Sequence, residues 1–271
     1  MTRRLTRTAR WLFVCVLSAL CVSAPPSAKA RDKVRLRVMT YNIHVGIGMD
    51  KKLDLKRIAA VINAERPDLV ALQEVDRGVE RTQRVDQIKE LARLTKMDYA
   101  FAHNLNFQGG QYGVAVLSRT PILSLDHRRY QHLREAERRG FIRVEVEVRG
   151  QRISFVNTHL DYQHDDNRLY EAVQMLAALP AKGPPVIVAG DFNDEPKGST
   201  YKRMLEGFVD VWTASGATGE GLTYPADKPS KRIDFIFHGA GGGFSVKSAR
   251  VVRTLASDHL PLVAELEIER R

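Results

Sequence analysis

Five apolar runs in this chain each border a short polar cluster, and that pattern constrains the fold more than any other feature. The segments are VMTYNIH with Asn42, LVALQEVD with Glu74, FVNTHLDY with His159 and Asp161, VIVAGDFND with Asp191 and Asn193, and SDHLPLV with Asp258 and His259. Short apolar runs flanked by turn formers predict buried strands. A carboxylate, amide or imidazole at a strand end is delivered to one rim of a sheet. Such groups are costly to bury unless they are paired or hold a metal. Segments so far apart in the chain therefore point to one hard-cation site with histidines beside it.

The first thirty residues stand apart. MTRRLTRTAR is basic, WLFVCVLSALCVSA is apolar, and Ala28-Lys29-Ala30 has the small-x-small form of a cleavage site. Residues 1–30 are expected to be a signal peptide and 31–271 the folded domain. The apolar stretch of 14 residues is too short for a stable membrane span, which needs about 20. The expected location is therefore periplasmic or secreted. Both cysteines, Cys15 and Cys21, fall in the leader, so the mature chain has no thiol for a disulfide or a thiolate metal site. The leader also holds five of the 42 basic residues and none of the 32 acidic ones, which lowers the formal charge from +10 to +5. That balance permits a phosphate-bearing substrate without demanding nucleic acid.

No repeat or linker divides residues 31–271. Hydrophobic periodicity predicts strands at Val34–Ile43, Leu69–Gln73, Tyr99–His103, Gly113–Ser118, Ile122–Leu125, Phe141–Val148, Ile153–Thr158, Val186–Ala189, Arg232–Phe237, Ser245–Arg253 and Leu262–Ile268. Helices are expected at Asp54–Glu65, capped by Asp54, and at Val85–Leu94, Asp166–Leu179 and Thr200–Glu206. Several strands follow one another with no helix between them. The pattern predicts an α/β (α+β) fold of two packed mixed sheets with helices outside, not a doubly wound parallel sheet.

Phosphoester hydrolysis needs a cation for the non-bridging oxygens, activation of a water, and stabilisation of the leaving oxygen. Oxygen donors such as Glu74 and Asp258 suit Mg²⁺ or Mn²⁺. Asn42 and Glu74 end two strands in the same way, although each alone reads as a turn or a solvated rim. Asp191 and Asn193 share a face after Gly190: Asp191 could orient or deprotonate water, and Asn193 could donate to a phosphoryl oxygen. Asp258 and His259 diverge on an extended segment, so the partner of His259 must come from elsewhere. Asp234, inside the apolar strand around Ile233 and Phe235, is the natural candidate. Substrate contacts are expected from loops over the site. Arg77, with Arg81 and Arg84, could reach flanking phosphates, and Tyr112 could stack on a ring. Arg128 to Arg139 form a basic stretch diluted by Glu135 and Glu137.

TYNIH, LQEVD, NTHLD, GDFND, RIDFIF and SDHLP occur in this order over residues 34–268. Together they resemble the endonuclease/exonuclease/phosphatase superfamily, which includes pancreatic-type deoxyribonucleases, abasic-site endonucleases, inositol-polyphosphate 5-phosphatases and neutral sphingomyelinases. The resemblance implies a four-layer α/β/β/α sandwich. It implies metal-site residues at Asn42 and Glu74, with Glu74 the direct Mg²⁺ ligand and Asp258 a further metal-site carboxylate. It assigns His159 to face the phosphate with Asp161 in support, Asp191 to activate water, Asn193 to contact the scissile phosphate, and Asp234–His259 to act as a catalytic pair. The expected partner is a phosphoester: nucleic acid by a nuclease-like route, or alternatively a phospholipid, inositol phosphate or sugar phosphate. A monomer is expected. A catalytically silent binding module of the same fold is the reading from another class.

Overall fold

The computed structural model describes residues 32–270; the expected leader, with both cysteines, lies outside them. Among the described residues twelve strands form two six-stranded sheets. The first sheet has the order β11-β12-β1-β2-β4-β3, with β1 at Lys33–Asn42, β2 at Leu69–Arg77, β3 at Asp98–Phe107, β4 at Gly110–Ser118, β11 at Phe244–Val251 and β12 at Leu262–Glu269. The second has the order β5-β6-β7-β8-β10-β9, with β5 at Ile122–Arg129, β6 at Gly140–Val148, β7 at Gln151–His159, β8 at Val186–Asp191, β9 at Phe208–Asp210 and β10 at Asp234–Gly239.

Each sheet contains one parallel pair, β1 with β2 and β7 with β8; every other pairing is antiparallel. A parallel pair needs a crossover, and helices supply it. Helix α1 (Leu55–Glu65) follows β1, and α3 (Asp165–Ala178) links β7 to β8. Asp54 caps α1 by accepting from Arg57 N at 3.0 Å. Helix α2 (Gln87–Thr95) packs with α1 on the first sheet, and α4 (Ser199–Leu205) with α3 on the second. The short β9 and α5 (Val211–Ala214) have no sequence forecast; three or four residues carry too little periodicity to show one.

The apolar alternation of the strands produces three packed layers between four layers of structure. Leu36 and Val38 meet Ile142, Val144 and Phe155 between the sheets. Met39, Tyr41, Val70 and Leu72 face α1 and α2, while Val156, Val188 and Phe235 face α3 and α4. The expected α/β/β/α sandwich is therefore the observed one.

Candidate active site

The inner faces of the sheets change from apolar to polar at one end. Along β1 the inward positions run Leu36, Val38, Thr40, Asn42; along β7, Ile153, Phe155, Asn157, His159; along β8, Ile187, Ala189, Asp191. Period-two alternation puts each terminal polar group directly above its apolar stack. Strand register then sets the groups side by side. His159 pairs with Asp191 across β7 and β8, and Asp191 pairs with Asp234 across β8 and β10. In parallel pairs the carboxyl ends share an edge, and the antiparallel β10 and β12 begin at that same edge.

Glu74 reaches the cleft by a different device. Ladder pairing of β2 with β4 shifts register between Leu72 and Val75, and Glu74 adopts φ 55°. Val75 therefore joins Leu72 in the helix-facing core when simple alternation would turn it inward. The slip aims Glu74 out of the ladder, as bulges beside functional sites do. Asn157 of the opposite sheet stabilises this distortion. Its amide donates to Leu72 O at 2.8 Å and Ala115 O at 2.7 Å, and its oxygen accepts from Gln73 Nε2 at 2.7 Å. Buried carbonyls left without partners would otherwise cost about 1–3 kcal/mol each.

Asp191 is the hub. Its Oδ2 accepts from Asn42 Nδ2 at 3.0 Å and lies 3.5 Å from His159 Nε2 and 3.7 Å from His259 Nε2. Its Oδ1 accepts from the backbone of Asn193 at 3.0 Å. Burial, reinforced by the nearby Asp234 charge, pushes the Asp191 carboxyl up from the usual carboxylate range. His259 Nδ1 lies 2.9 Å from Asp234 Oδ2, and burial works against its charge while Asp234 and Asp191 outweigh it and hold its pKa up. The expected pairing of Asp234 with His259 is thus present in geometry, across 25 residues of sequence.

The same Asn42 amide also donates to Glu74 Oε1 at 3.0 Å, and its oxygen accepts from His44 N at 3.0 Å. Asn42 therefore orients Glu74 and Asp191, and its oxygen keeps one lone pair beyond the bond from His44 N. Glu74 and Asp258 are each part-exposed and line one cleft of about 820 Å³ together with His159, Asp191, Asn193 and His259. Asn193, at φ 49°, donates its amide to Leu160 O at 3.0 Å. Tyr224 also lines the cleft and packs beside His259, with ring centroids 4.7 Å apart.

Three sequence expectations land elsewhere. Arg77 points away from the cleft, ion-paired to Asp86 at 3.1 Å, and lines a separate groove with Gly78 and Asn106. Arg81, in the 3-10 turn Glu80–Thr82, is the member of this pair that lines the cleft, but Asp76 binds it at 2.8 and 2.9 Å and it lies over the rings of Phe107 and Tyr112. Asp161 does not reach His159. Its carboxylate accepts from Gln163 N, His164 N and Asn167 Nδ2 and so closes the turn into α3. Tyr112 lines the cleft but is 7% exposed, with its hydroxyl near Arg139 Nη1, so its ring is not open for stacking. Arg139 itself, masked in sequence by its acidic neighbours, is buried at the cleft floor against His159.

Two arrangements could hold a cation. Asp191, Asp234 and His259 present ligand atoms within 4.8 Å of one another. However, both imidazole nitrogens there already face carboxylates, so the cluster is organised to hold protons. Glu74 has one oxygen fixed by Asn42 and the other toward the cleft that Asp258 shares. Both carboxylates offer oxygen donors, which suit a hard divalent ion.

A model of the Endonuclease/Exonuclease/phosphatase family matches residues 39–259. The chain is 29% identical over 246 residues to the protein YbhP of Escherichia coli strain K12, covering 86% of this chain and 96% of that one. Among solved structures, an endonuclease/exonuclease/phosphatase from Beutenbergia cavernae superposes with a TM-score of 0.71 at 28% identity, over 86% of this chain and 72% of its own. A Bacteroides thetaiotaomicron mannosyl-6-phosphatase, Bt3783, superposes with a TM-score of 0.72 at 20% identity, over 85% and 99%, and shares the fold.

Proposed function

Because this chain belongs to the endonuclease/exonuclease/phosphatase family, we propose that it is a divalent-metal-dependent hydrolase that cleaves a phosphate ester, diester or monoester, by Asp- and His-assisted attack of water. The observation that carries this reading is the position of Asp191, a buried carboxylate set between two imidazoles and two amide donors. Glu74 and Asp258 would hold the Mg²⁺ or Mn²⁺, whose charge offsets that of the phosphoryl group. Asp191, with its raised proton affinity, holds the water and takes its proton as the water oxygen bonds to phosphorus and the ester P–O bond breaks, the leaving oxygen departing with that bond's electron pair. His259, kept charged by Asp234, faces the same space and balances the charge that develops there. His159 and Asn193 direct donors toward non-bridging oxygens.

The cleft charges bear on the substrate. Seven lining carboxylates stand against four Lys and Arg side chains, Arg81, Arg139, Arg168 and Lys231, and the charged His259. Arg81 is tied to Asp76 and Arg168 to Asp165, while Arg139 has Glu137 at 3.2 Å. A polynucleotide requires a cationic track along many phosphates. This lining favours the second substrate class, a compact ester such as a sugar phosphate, an inositol phosphate or a phospholipid headgroup. Among the described residues no helix is long and apolar enough to cross a membrane. We propose further that residues 1–30 direct export, so that the mature protein begins at Arg31.

The test is a panel of plasmid DNA, RNA, sphingomyelin vesicles, inositol phosphates and sugar phosphates, assayed with Mg²⁺, with Mn²⁺ and with EDTA. Turnover that needs the cation and disappears in His259→Ala supports the reading. No turnover on any member, or turnover indifferent to EDTA and to His259→Ala, refutes it. N-terminal sequencing of exported protein tests the leader.

A further inference from the structure

We propose that Arg139 is a positioning residue that fixes which nitrogen of His159 carries the proton. Arg139 Nη1 lies 2.6 Å from His159 Nδ1, and the two residues are 3% and 2% exposed. A guanidinium has five N–H donors and no acceptor. The facing imidazole nitrogen must therefore present a lone pair, which places the His159 proton on Nε2. That is the nitrogen directed at Asp191 Oδ2, 3.5 Å away, where the cleft opens.

The arrangement also keeps His159 neutral. A second ring proton would sit against a buried positive charge, with no water to screen it. Burial, then the charges of Arg139 and His259, all drive the His159 pKa down. Facing groups of opposite sign are few: Asp191 lies beside Nε2, and Glu137, 3.2 Å from Nη1 of Arg139, acts on the guanidinium. Holding Arg139 here costs stability, since its Nε is buried without a hydrogen-bond partner. The loop that carries it is closed by Tyr130 N donating to Arg139 O at 3.0 Å, immediately before β6.

The consequence rests on the phosphoesterase reading. A neutral Nε2–H can donate to a phosphoryl oxygen without surrendering its proton to Asp191, which stays available as the base. A charged His159 would add a second imidazolium beside Asp191, next to His259, and lower its proton affinity.

The experiment is nitrogen NMR of [¹⁵N]histidine-labelled protein without substrate, together with steady-state kinetics. Expected in the unaltered protein is a His159 ring with Nδ1 unprotonated and Nε2 protonated, unchanged from pH 5 to pH 9. In Arg139→Met the ring should lose this preference and begin to titrate, with kcat falling by roughly 10–100-fold, the usual effect of losing an orienting partner, and KM moving less. Arg139→Lys, which restores a cationic donor, should recover the tautomer and part of kcat. A protonated Nδ1 in the unaltered protein overturns the proposal even if the Met variant does not fold. So does a Met variant that keeps both tautomer and pH independence. The spectrum also separates the two readings: the expected tautomer in a protein that cleaves no phosphoester leaves this proposal standing and removes the proposed function.

Discussion

His259 Nδ1 and Asp234 Oδ2, 2.9 Å apart, form the shortest link in a chain that continues through Asp191 and Asn42 to Glu74. A carboxylate on one nitrogen commits the other, Nε2, to the cleft. Replacing Asp234 by Asn removes the charge that raises the imidazole and leaves the ring free to take the other tautomer. Turnover should fall by about 10²–10⁴-fold, the scale of losing oriented acid–base help, while circular dichroism stays unchanged. Full turnover in Asp234→Asn would remove this pair from the mechanism.

Glu74→Gln keeps the acceptor toward Asn42 and removes the charge facing the cleft. Calorimetric titration with Mn²⁺ should show at least a tenfold weaker affinity, on the order of one lost charge–cation contact. Unfolding in urea should be unchanged. Equal affinity in both proteins would move the cation elsewhere, with the Asp191–Asp234–His259 cluster the next place to look.

Asn157 holds the distorted stretch of β2 from the opposite sheet. Asn157→Leu leaves Leu72 O, Ala115 O and Gln73 Nε2 buried without that partner. A loss of about 2–4 kcal/mol in urea unfolding is expected from the unsatisfied groups. Weaker Mn²⁺ binding should accompany it, because the same bulge aims Glu74. A destabilised variant with unchanged cation affinity would confine Asn157 to a structural role.

Glu171 is buried on α3, accepts from Asp161 N at 2.7 Å, and has its pKa pushed up to about 8, chiefly by burial. Its folded-state pKa lies above the unfolded value, so its contribution is fully present below the unfolded pKa near 4.5 and lost as pH rises through about 8. Glu171→Gln mimics the protonated form. The variant should lose less thermal stability than the parent between pH 6 and pH 9, a difference on the order of 1–3 kcal/mol. Parallel melting curves across that range would contradict the assignment.

Much of the site is legible in sequence because a strand that ends in a costly polar group announces its own position. Asn42, His159, Asp191 and His259 each follow or precede an apolar run, and period-two alternation carries them to one edge. The spacing of the runs also separates two mixed sheets from a doubly wound one. Elements without periodicity are silent, as β9 and α5 are, and so is the register slip that turns Glu74 outward. Arg77 and Arg81 look equivalent on paper. Only the 3-10 turn that carries Arg81 and the carboxylates of Asp86 and Asp76 assign one to a side groove and the other to the cleft.

What the chain determines by itself is which side chains are too polar for a core and too well spaced to be accidental; local periodicity and burial cost settle that without reference to distant residues. Which of those groups touch was decided by tertiary structure alone. Arg139 beside His159 and Asn157 beneath the β2 bulge both depend on strand register and sheet packing. Contacts between the two sheets are set by the complementary shape of the whole core, and no local stretch of sequence encodes that.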